Sequence, residues 1–399
     1  MMNKPFNLYP KMMELYKDIE EHFRKCEHSE IDFITPETFG AVGDGIADDR
    51  EAIQNAINFA SENNLKLQLL NKTYYISDAL SIPSFFNMRG NGFFNSTLLC
   101  GKSCLCLKDT QFVNLSGFQI LLSEEKDNDY IGIEMTGNKN HMVVVDCLYI
   151  ARFGKGIYSD SILWDCNFTN TRVAVCGVGL ELVTNQVNLV NTFTNFYIDR
   201  CEKTMNIKGT ESVFIGSNFS IYGDEAFIVS SNSNIQFIGC NFECDKHVDG
   251  TNIFITDGSS ISFDTCAFVV NFSEATKFFC LHSGCKGVSV KNSRYKIANG
   301  NNMNALNFWN KDFFNCQYAG GVVFEGFNEI PQPIPYSHQS YLFKDLGINL
   351  LPVVNTVVKS SHILKGMQFI DASTGKICYY DGQKIRYVAD DTELNITLT

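Results

Sequence analysis

Acidic residues recur at a fixed distance behind the aromatic residues of this chain. Asp199, Glu225 and Glu274 each lie six positions beyond a phenylalanine: Phe193, Phe219 and Phe268. Asp224 adjoins Glu225, the stretch behind Phe242 carries Asp245, His247 and Asp249, and Arg200, Glu202 and Lys203 follow Asp199. Paired carboxyl groups suit glycoside cleavage, one as acid and the other as base or nucleophile. If the aromatics recur once per turn of a stacked chain, neighbouring turns bring Asp199 and Glu225 to about 5 Å, a retaining separation. Glu225 and Glu274 are then two turns and roughly 10 Å apart, near the inverting limit. Elimination instead needs a base beside an acidic sugar carbon and a cation on the uronate carboxylate. His247, Lys246, Arg200, Lys203 and Tyr222 are of the right types for that. The expected catalytic set is Asp199, Asp224, Glu225, His247, Asp249 and Glu274. Tyr197, Arg200, Lys203, Tyr222 and Asp245 are expected to contact substrate. The competing reading is that these groups decorate a solvated face.

The elements that must position them repeat. Phe214-Ile215-Gly216-Ser217-Asn218-Phe219 recurs as Phe237-Ile238-Gly239-Cys240-Asn241-Phe242. Looser copies are Val144–Tyr149, Leu163–Phe168, Phe263–Phe268, Val290–Tyr295 and Phe313–Tyr318, with Val113–Phe118 and Asn188–Phe193 fitting less well. The closing aromatics are Phe118, Tyr149, Phe168, Phe193, Phe219, Phe242, Phe268, Tyr295 and Tyr318. Their period of about 25 residues is one coil of a solenoid and too short for a propeller blade. In each unit an apolar residue ends one strand, Asn, Ser or Gly turns the chain, and an aromatic begins the next. Stacking buries what a single coil cannot. The fourth motif position, Cys147, Cys166, Cys240, Cys266 and Cys316 with Ser in other copies, reads as one column of small buried residues. Ile235-Gln236-Phe237 and Ile261-Ser262-Phe263 show in-out strand alternation.

Lys and Arg total 32 against 44 Asp and Glu, a net charge of −12 that disfavours a nucleic-acid partner. No apolar run is long enough to insert in a membrane. The start Met1–Phe6 lacks an apolar h-region, so no signal peptide is expected and the 15 Cys read as reduced, buried thiols. Cys280-Leu281-His282-Ser283-Gly284-Cys285 has no second pair at zinc spacing, and Asp44-Gly45 with Asp48-Asp49 lacks the distant Glu of a calcium loop. Neither a metal nor a cofactor is expected.

Residues 10 to 28 read as a helix, Met12, Tyr16, Ile19, Phe23 and Cys26 forming either a short coiled-coil seam or an ordinary amphipathic face. Gly43 and Gly45 permit a tight turn before a second helix, with Asp48 or Asp49 as its cap and Ala52, Ile53, Ala56, Ile57 and Ala60 as its apolar face. Strands are expected at Leu65–Leu70 and Thr73–Ile76. Pro331-Gln332-Pro333-Ile334-Pro335 reads as a boundary. Beyond it Lys376–Tyr380 followed by Asp381-Gly382 reads as a hairpin. The expected organisation is a helical segment over 1–35, a parallel β-solenoid over 36–330 with a capping helix, and a small β-rich unit over 331–399.

Phe39-Gly40-Ala41-Val42-Gly43-Asp44-Gly45 followed by Asp48-Asp49 and Ala52-Ile53-Gln54-Asn55-Ala56-Ile57 resembles the opening of the pectate-lyase-like superfamily. That group includes polygalacturonase-type hydrolases and bacteriophage tailspike depolymerases. With the coil repeat, the resemblance spans about 36 to 328. Its usual Pro-x-Gly-x-Tyr is replaced here by Leu69–Tyr75, which marks a divergent member. Gly366–Asp371 through Lys376 to Gly382 is similar to a terminal motif of phage tail spikes and fibres. The resemblance implies an all-β, right-handed parallel β-helix. It further implies a homotrimer in the virion tail, attached to the tail or an adapter protein through its N-terminus, that cleaves or binds a bacterial surface polysaccharide. The polygalacturonase motifs Asn-x-Asp, Gly-Asp-Asp and Gly-His-Gly are missing from 120 to 320, so no catalytic residue carries over. Hydrolysis is the favoured chemistry, with a lyase, a non-enzymatic fibre and an exported pectinase-like enzyme as alternatives.

Overall fold

The computed structural model describes residues 32–124, 129–222, 226–230, 232–244, 252–270, 277–281 and 287–297, and further strands to residue 387. Within it the alternating pattern resolves into three parallel ladders, each receiving one strand per coil. The first runs from Phe33–Ile34 through Asn234–Ile238 to Leu342–Lys344. Its central register is Ile34, Leu67, Met88, Leu115, Val145, Phe168, Phe193, Phe214, Phe237, Phe263 and Val290. All of these side chains are buried. The second ladder is a separate 11-stranded sheet, with Tyr74, Leu98, Ile120, Ile150, Val173, Ile198, Phe219, Phe242 and Phe268 in one buried column. The third carries Leu80, Leu105, Ile133, Ile157, Leu180, Met205 and Phe227. The long strands Val178–Thr194 and Lys203–Ile215 pass from the third ladder into the first and join both into one 22-stranded sheet.

The aromatic columns are layered. Phe168, Phe193, Phe214, Phe237 and Phe263 stack at centroid distances of 4.7, 4.5, 5.1 and 5.2 Å. Phe219, Phe242 and Phe268 stack at 5.2 and 5.1 Å. These match the inter-strand rise of about 4.8 Å with rings slightly offset. Edge-to-face contacts between the columns, such as Phe219–Phe237 at 5.6 Å, lock the two faces together. The corner between the first and second ladders repeats a left-handed residue, including Gly117, Cys147, Asn170, Asn195, Gly216, Gly239, Thr265 and Asn292. The amides of Gly117, Asn195 and Gly239 donate to the carbonyls of Asp146, Ile215 and Asp264 in the next coil.

Each coil therefore holds two aromatic columns, and the sequence repeat merges them. Phe168 and Phe193 belong to the first ladder, whereas Phe219, Phe242 and Phe268 belong to the second. Phe118 sits buried at the corner, and Tyr149 is half-buried with Ile150 taking the core position. The cysteine column divides likewise. Cys240 and Cys266 follow one another with Ser217 and Ser293 at the same corner. Cys147 instead occupies the left-handed position, and Cys166 lies at a different corner, its amide donating to Asn191 Oδ1 at 3.1 Å. Tyr318 and Cys316 lie outside the described residues.

The helix α1 (Arg50–Glu62) buries Ile53, Ala56, Ile57 and Ala60 and packs along the strands Phe33–Ile34, Lys66–Gln68 and Leu80–Ile82 of the first coil. Its two preceding aspartates divide the work. Asp48 Oδ1 accepts the Arg50 amide at 3.1 Å, whereas Asp49 turns back to accept the amides of Val42 and Gly43 at 2.6 and 2.9 Å. Asp49 thus fastens the glycine turn and makes no side-chain cap. Near the C-terminus, Ile377–Tyr380 pairs antiparallel with Ile385–Tyr387, as the hairpin signal implies, and with Gln368–Asp371. The segment 10–28 and the proline boundary at 331–335 lie outside the described residues.

Candidate functional site

Because side chains alternate along a strand, the residue before each core position of the second ladder faces outward. Five consecutive coils place Tyr149, Arg172, Tyr197, Asn218 and Asn241 in register on this outer face, with Gln119 one coil earlier. Arg172 lies between two phenols, its Cζ 5.5 Å from the Tyr197 ring centroid. Asn218 Nδ2 donates to the Tyr197 hydroxyl, and Asn241 Nδ2 donates to Asn218 Oδ1 at 3.5 Å. Phe94, 78% exposed, extends the strip 6.4 Å from Tyr149. Rings, amides and a guanidinium at rung spacing along the axis suit an elongated, hydroxyl-rich ligand lying parallel to that axis.

Asp199 ends its second-ladder strand, and its carboxylate is mostly buried. Oδ2 accepts from Arg172 Nη2 and also lies 3.4 Å from Arg200 Nε. Arg200 holds the left-handed corner after Asp199 (φ 49°), and Lys203 opens the third-ladder segment of the same coil. Tyr197 and Asp199 therefore lie together on the second ladder, with Arg200 at its corner and Lys203 beyond it on the third. Tyr222 is half-buried just beyond Asn218–Ile221. Asp224, Glu225, Asp245, His247, Asp249 and Glu274 lie outside the described residues.

Tyr197 and Ile198 pair with Asn218 and Phe219, a register that sets Ser220 across from Asp199 in the next coil. The offset of six was counted from Phe193 in the first ladder but from Phe219 in the second. Glu225 lies outside the described residues, and with it the expected partner of Asp199. Arg172, Asn218 and Asn241 escaped the sequence reading, and Tyr149 was assigned to the core. Taking Ile150, Val173 and Ile198 as the inward residues exposes all of them as outward neighbours. Among the described residues no helix is long and apolar enough to cross a membrane, and no group of three His, Cys, Asp or Glu is placed to hold a metal.

Three parallel ladders around one apolar core define a parallel β-solenoid. The solved enzymatically active domain of bacteriophage CBA120 tailspike protein 2 shares this fold, with a TM-score of 0.58 at 17% identity over 88% of this chain and 58% of that one. In sequence the chain is 25% identical over 218 residues to a capsule K30/K69-specific depolymerase of Klebsiella phage K64-1. It is 22% identical over 293 residues to depolymerase 1, capsule KN3-specific, of Klebsiella phage KN3-1. These matches cover 44% and 67% of this chain but only 28% and 35% of the relatives' own lengths. No family model matches.

Proposed function

We propose that this chain is the solenoid of a phage tailspike that binds and depolymerises a bacterial capsular polysaccharide, acting in the virion tail as a homotrimer. The carrying observation is the outward strip Tyr149–Arg172–Tyr197–Asn218–Asn241. Its phenols stack on sugar rings, its amides and Arg172 bond to hydroxyl and carboxylate groups, and its axial run fits a linear polymer. The similarity to capsule-specific depolymerases supports the same reading. Asp199, engaged by two guanidinium groups, acts here as a positioning carboxylate that aims Arg172 along the strip. Hydrolysis is preferred to elimination, and a fibre that only binds is the alternative.

The test is digestion of purified capsular polysaccharides, types K30, K69 and KN3 included, across a panel of encapsulated strains. New reducing ends from one polysaccharide, with no unsaturated uronic acid absorbance, support hydrolysis. Absorbance from an unsaturated product identifies a lyase. Binding without chain cleavage identifies a fibre, and neither binding nor cleavage across the panel overturns the proposal.

A further inference from the structure

Two corners of the solenoid hold cysteine pairs that the outward strip does not use. Ala174 pairs with Asp199 and Val178 with Lys203, so Cys176 and Cys201 stand in register one coil apart. Ile238 pairs with Asp264 and Asn241 with Ala267, which sets Cys240 across from Cys266 in the same way. Strand spacing puts the Cα atoms of such a pair about 4.8 Å apart, inside the range of about 4.4–6.8 Å that a disulfide spans. The sulfurs of each pair are in hydrogen-bond contact, and all four cysteines are free thiols. Each pair is also isolated along its column. Ser217 and Ser293 occupy the coils on either side of Cys240 and Cys266, and Phe153 fills the coil before Cys176.

All four thiols are buried, so reaction requires a local opening. What covers them is a single corner residue in each case. Val175, Arg200, Gly239 and Thr265 are left-handed and exposed, and each directly precedes one of the cysteines. Beyond Gly239 the space is open, with no heavy atom within 4 Å of where a Cβ would stand. Swinging that corner outward breaks the hydrogen bond from the Gly239 amide to the Asp264 carbonyl and leaves the flanking ladder strands paired. The two thiols of this pair are also unequal. The hydrogen bond from Cys266 holds the Cys240 pKa below its ordinary value and, with burial, pushes that of Cys266 up. Cys240 is thus suited to attack and Cys266 to resolve.

We propose that Cys176–Cys201 and Cys240–Cys266 are sites of covalent modification by small-molecule disulfides, which convert each pair into a bridge between consecutive coils. In the first step one cysteine thiolate bonds to a sulfur of the small disulfide, whose S–S bond breaks with the electron pair leaving on a thiolate. In the second, the other cysteine gives up its proton and attacks the cysteine sulfur of this mixed disulfide, expelling the second small thiolate. The protein loses two electrons and two protons, and the small disulfide is reduced to two thiols. Each bridge closes one coil of chain and ties coils that otherwise meet only through ladder hydrogen bonds and packing. The proposal stands independently of the polysaccharide activity.

The test incubates the folded full chain with hydroxyethyl disulfide just below its melting transition, alkylates the remaining thiols, and maps the digested peptides by mass spectrometry. Peptides linked through Cys240–Cys266 and through Cys176–Cys201 are expected, each lighter by two hydrogens. Tm should rise by about 5 °C per bridge and return to its starting value with reductant. Cys266→Ser should leave a mixed disulfide on Cys240 and remove that bridge's share of the rise, and Cys201→Ser should do the same at Cys176. Free thiols or unresolved mixed disulfides at a wild-type pair overturn the assignment of that pair. Links from these cysteines to other partners, or bridges that lower Tm, overturn the register argument. If a serine variant fails to fold, the map of the wild-type links decides alone.

Discussion

Replacing Phe237 by Ala tests whether stacked rings hold the ladders together. Phe237 is fully buried, sandwiched between Phe214 at 5.1 Å and Phe263 at 5.2 Å. It also meets the edges or faces of Phe219 at 5.6 Å and Phe242 at 5.1 Å from the adjoining ladder. Burying a phenylalanine and then deleting it costs about 3–5 kcal/mol when the cavity cannot collapse. Collapse is resisted here because four rings are fixed by their own strands, so the upper half of that range is expected. At about 2 cal/mol/K of unfolding entropy per residue over roughly 300 residues, 4 kcal/mol lowers Tm by about 6–7 °C. Phe94→Ala is the matched control, since Phe94 is 78% exposed and its loss should shift Tm by less than about 1 °C. Thermal melts at several scan rates, with guanidinium unfolding rates in support, separate equilibrium from kinetic effects. Equal shifts for Phe237→Ala and Phe94→Ala would refute the layered-core argument.

Three further outcomes follow from single contacts. Gly156→Ala should destabilise by about 1–3 kcal/mol in chemical denaturation, because a Cβ there would stand 2.2 Å from Val173 Cγ1 and 2.8 Å from the Gly179 carbonyl. A neutral result would mean the second and third ladders are not in that close contact. Asp199→Asn should raise KM roughly tenfold with kcat nearly unchanged, since it frees Arg172, which the strip uses for binding; a kcat collapse at constant KM would return Asp199 to the chemistry. His141 supplies a pH signature. Burial, and then Lys139, lower its pKa, while Asp165 Oδ2, 3.9 Å from Nε2, opposes the shift. Its proton is bound more tightly by the unfolded chain, so stability is full above the unfolded histidine pKa of about 6.5 and falls as pH drops below it. His141→Gln should flatten that limb of a Tm-against-pH curve, and an unchanged slope would refute the assignment.

The architecture was legible because its signal is periodic and local. Phe214–Phe219 and Phe237–Phe242 repeat almost letter for letter, Phe263–Phe268 keeps both flanking core aromatics, and these copies stack as the spacing implies. Upstream the core switches from rings to Val145, Ile150 and Val173, which hold the same buried columns without the visible aromatic mark. The frame there slipped from one ladder to the next. A slip between ladders leaves the fold class intact, because either column is buried, but it misplaces every outward residue counted from it. That asymmetry is why Arg172 and Asn218, one coil to either side of Tyr197, left no mark beside it in the sequence.

The outward column of the third ladder shows the same limit from the other side. Glu134, Tyr158 and Glu181 stand 24 and 23 residues apart in sequence and carry no shared motif. What unites them is the third ladder, whose core residues Ile133, Ile157 and Leu180 are aliphatic and unremarkable in the sequence. Their one-dimensional mark is only that each follows an inward aliphatic residue by one position. A solenoid turns that weak mark into geometry, since any outward position repeated once per coil becomes a column with a rise of about 4.8 Å. Residues separated by a coil length are thereby brought to neighbouring rungs, and the chain can vary the groups in one column without disturbing the core beneath it. The consequence is open to measurement. Exchanging the outward residues Arg172 or Tyr197 should weaken polysaccharide binding at nearly constant Tm, whereas exchanging Val173 or Ile198 beside them for Ala should lower Tm with binding following stability. A core substitution that abolished cleavage without lowering Tm would show that column and core are not separable in this way.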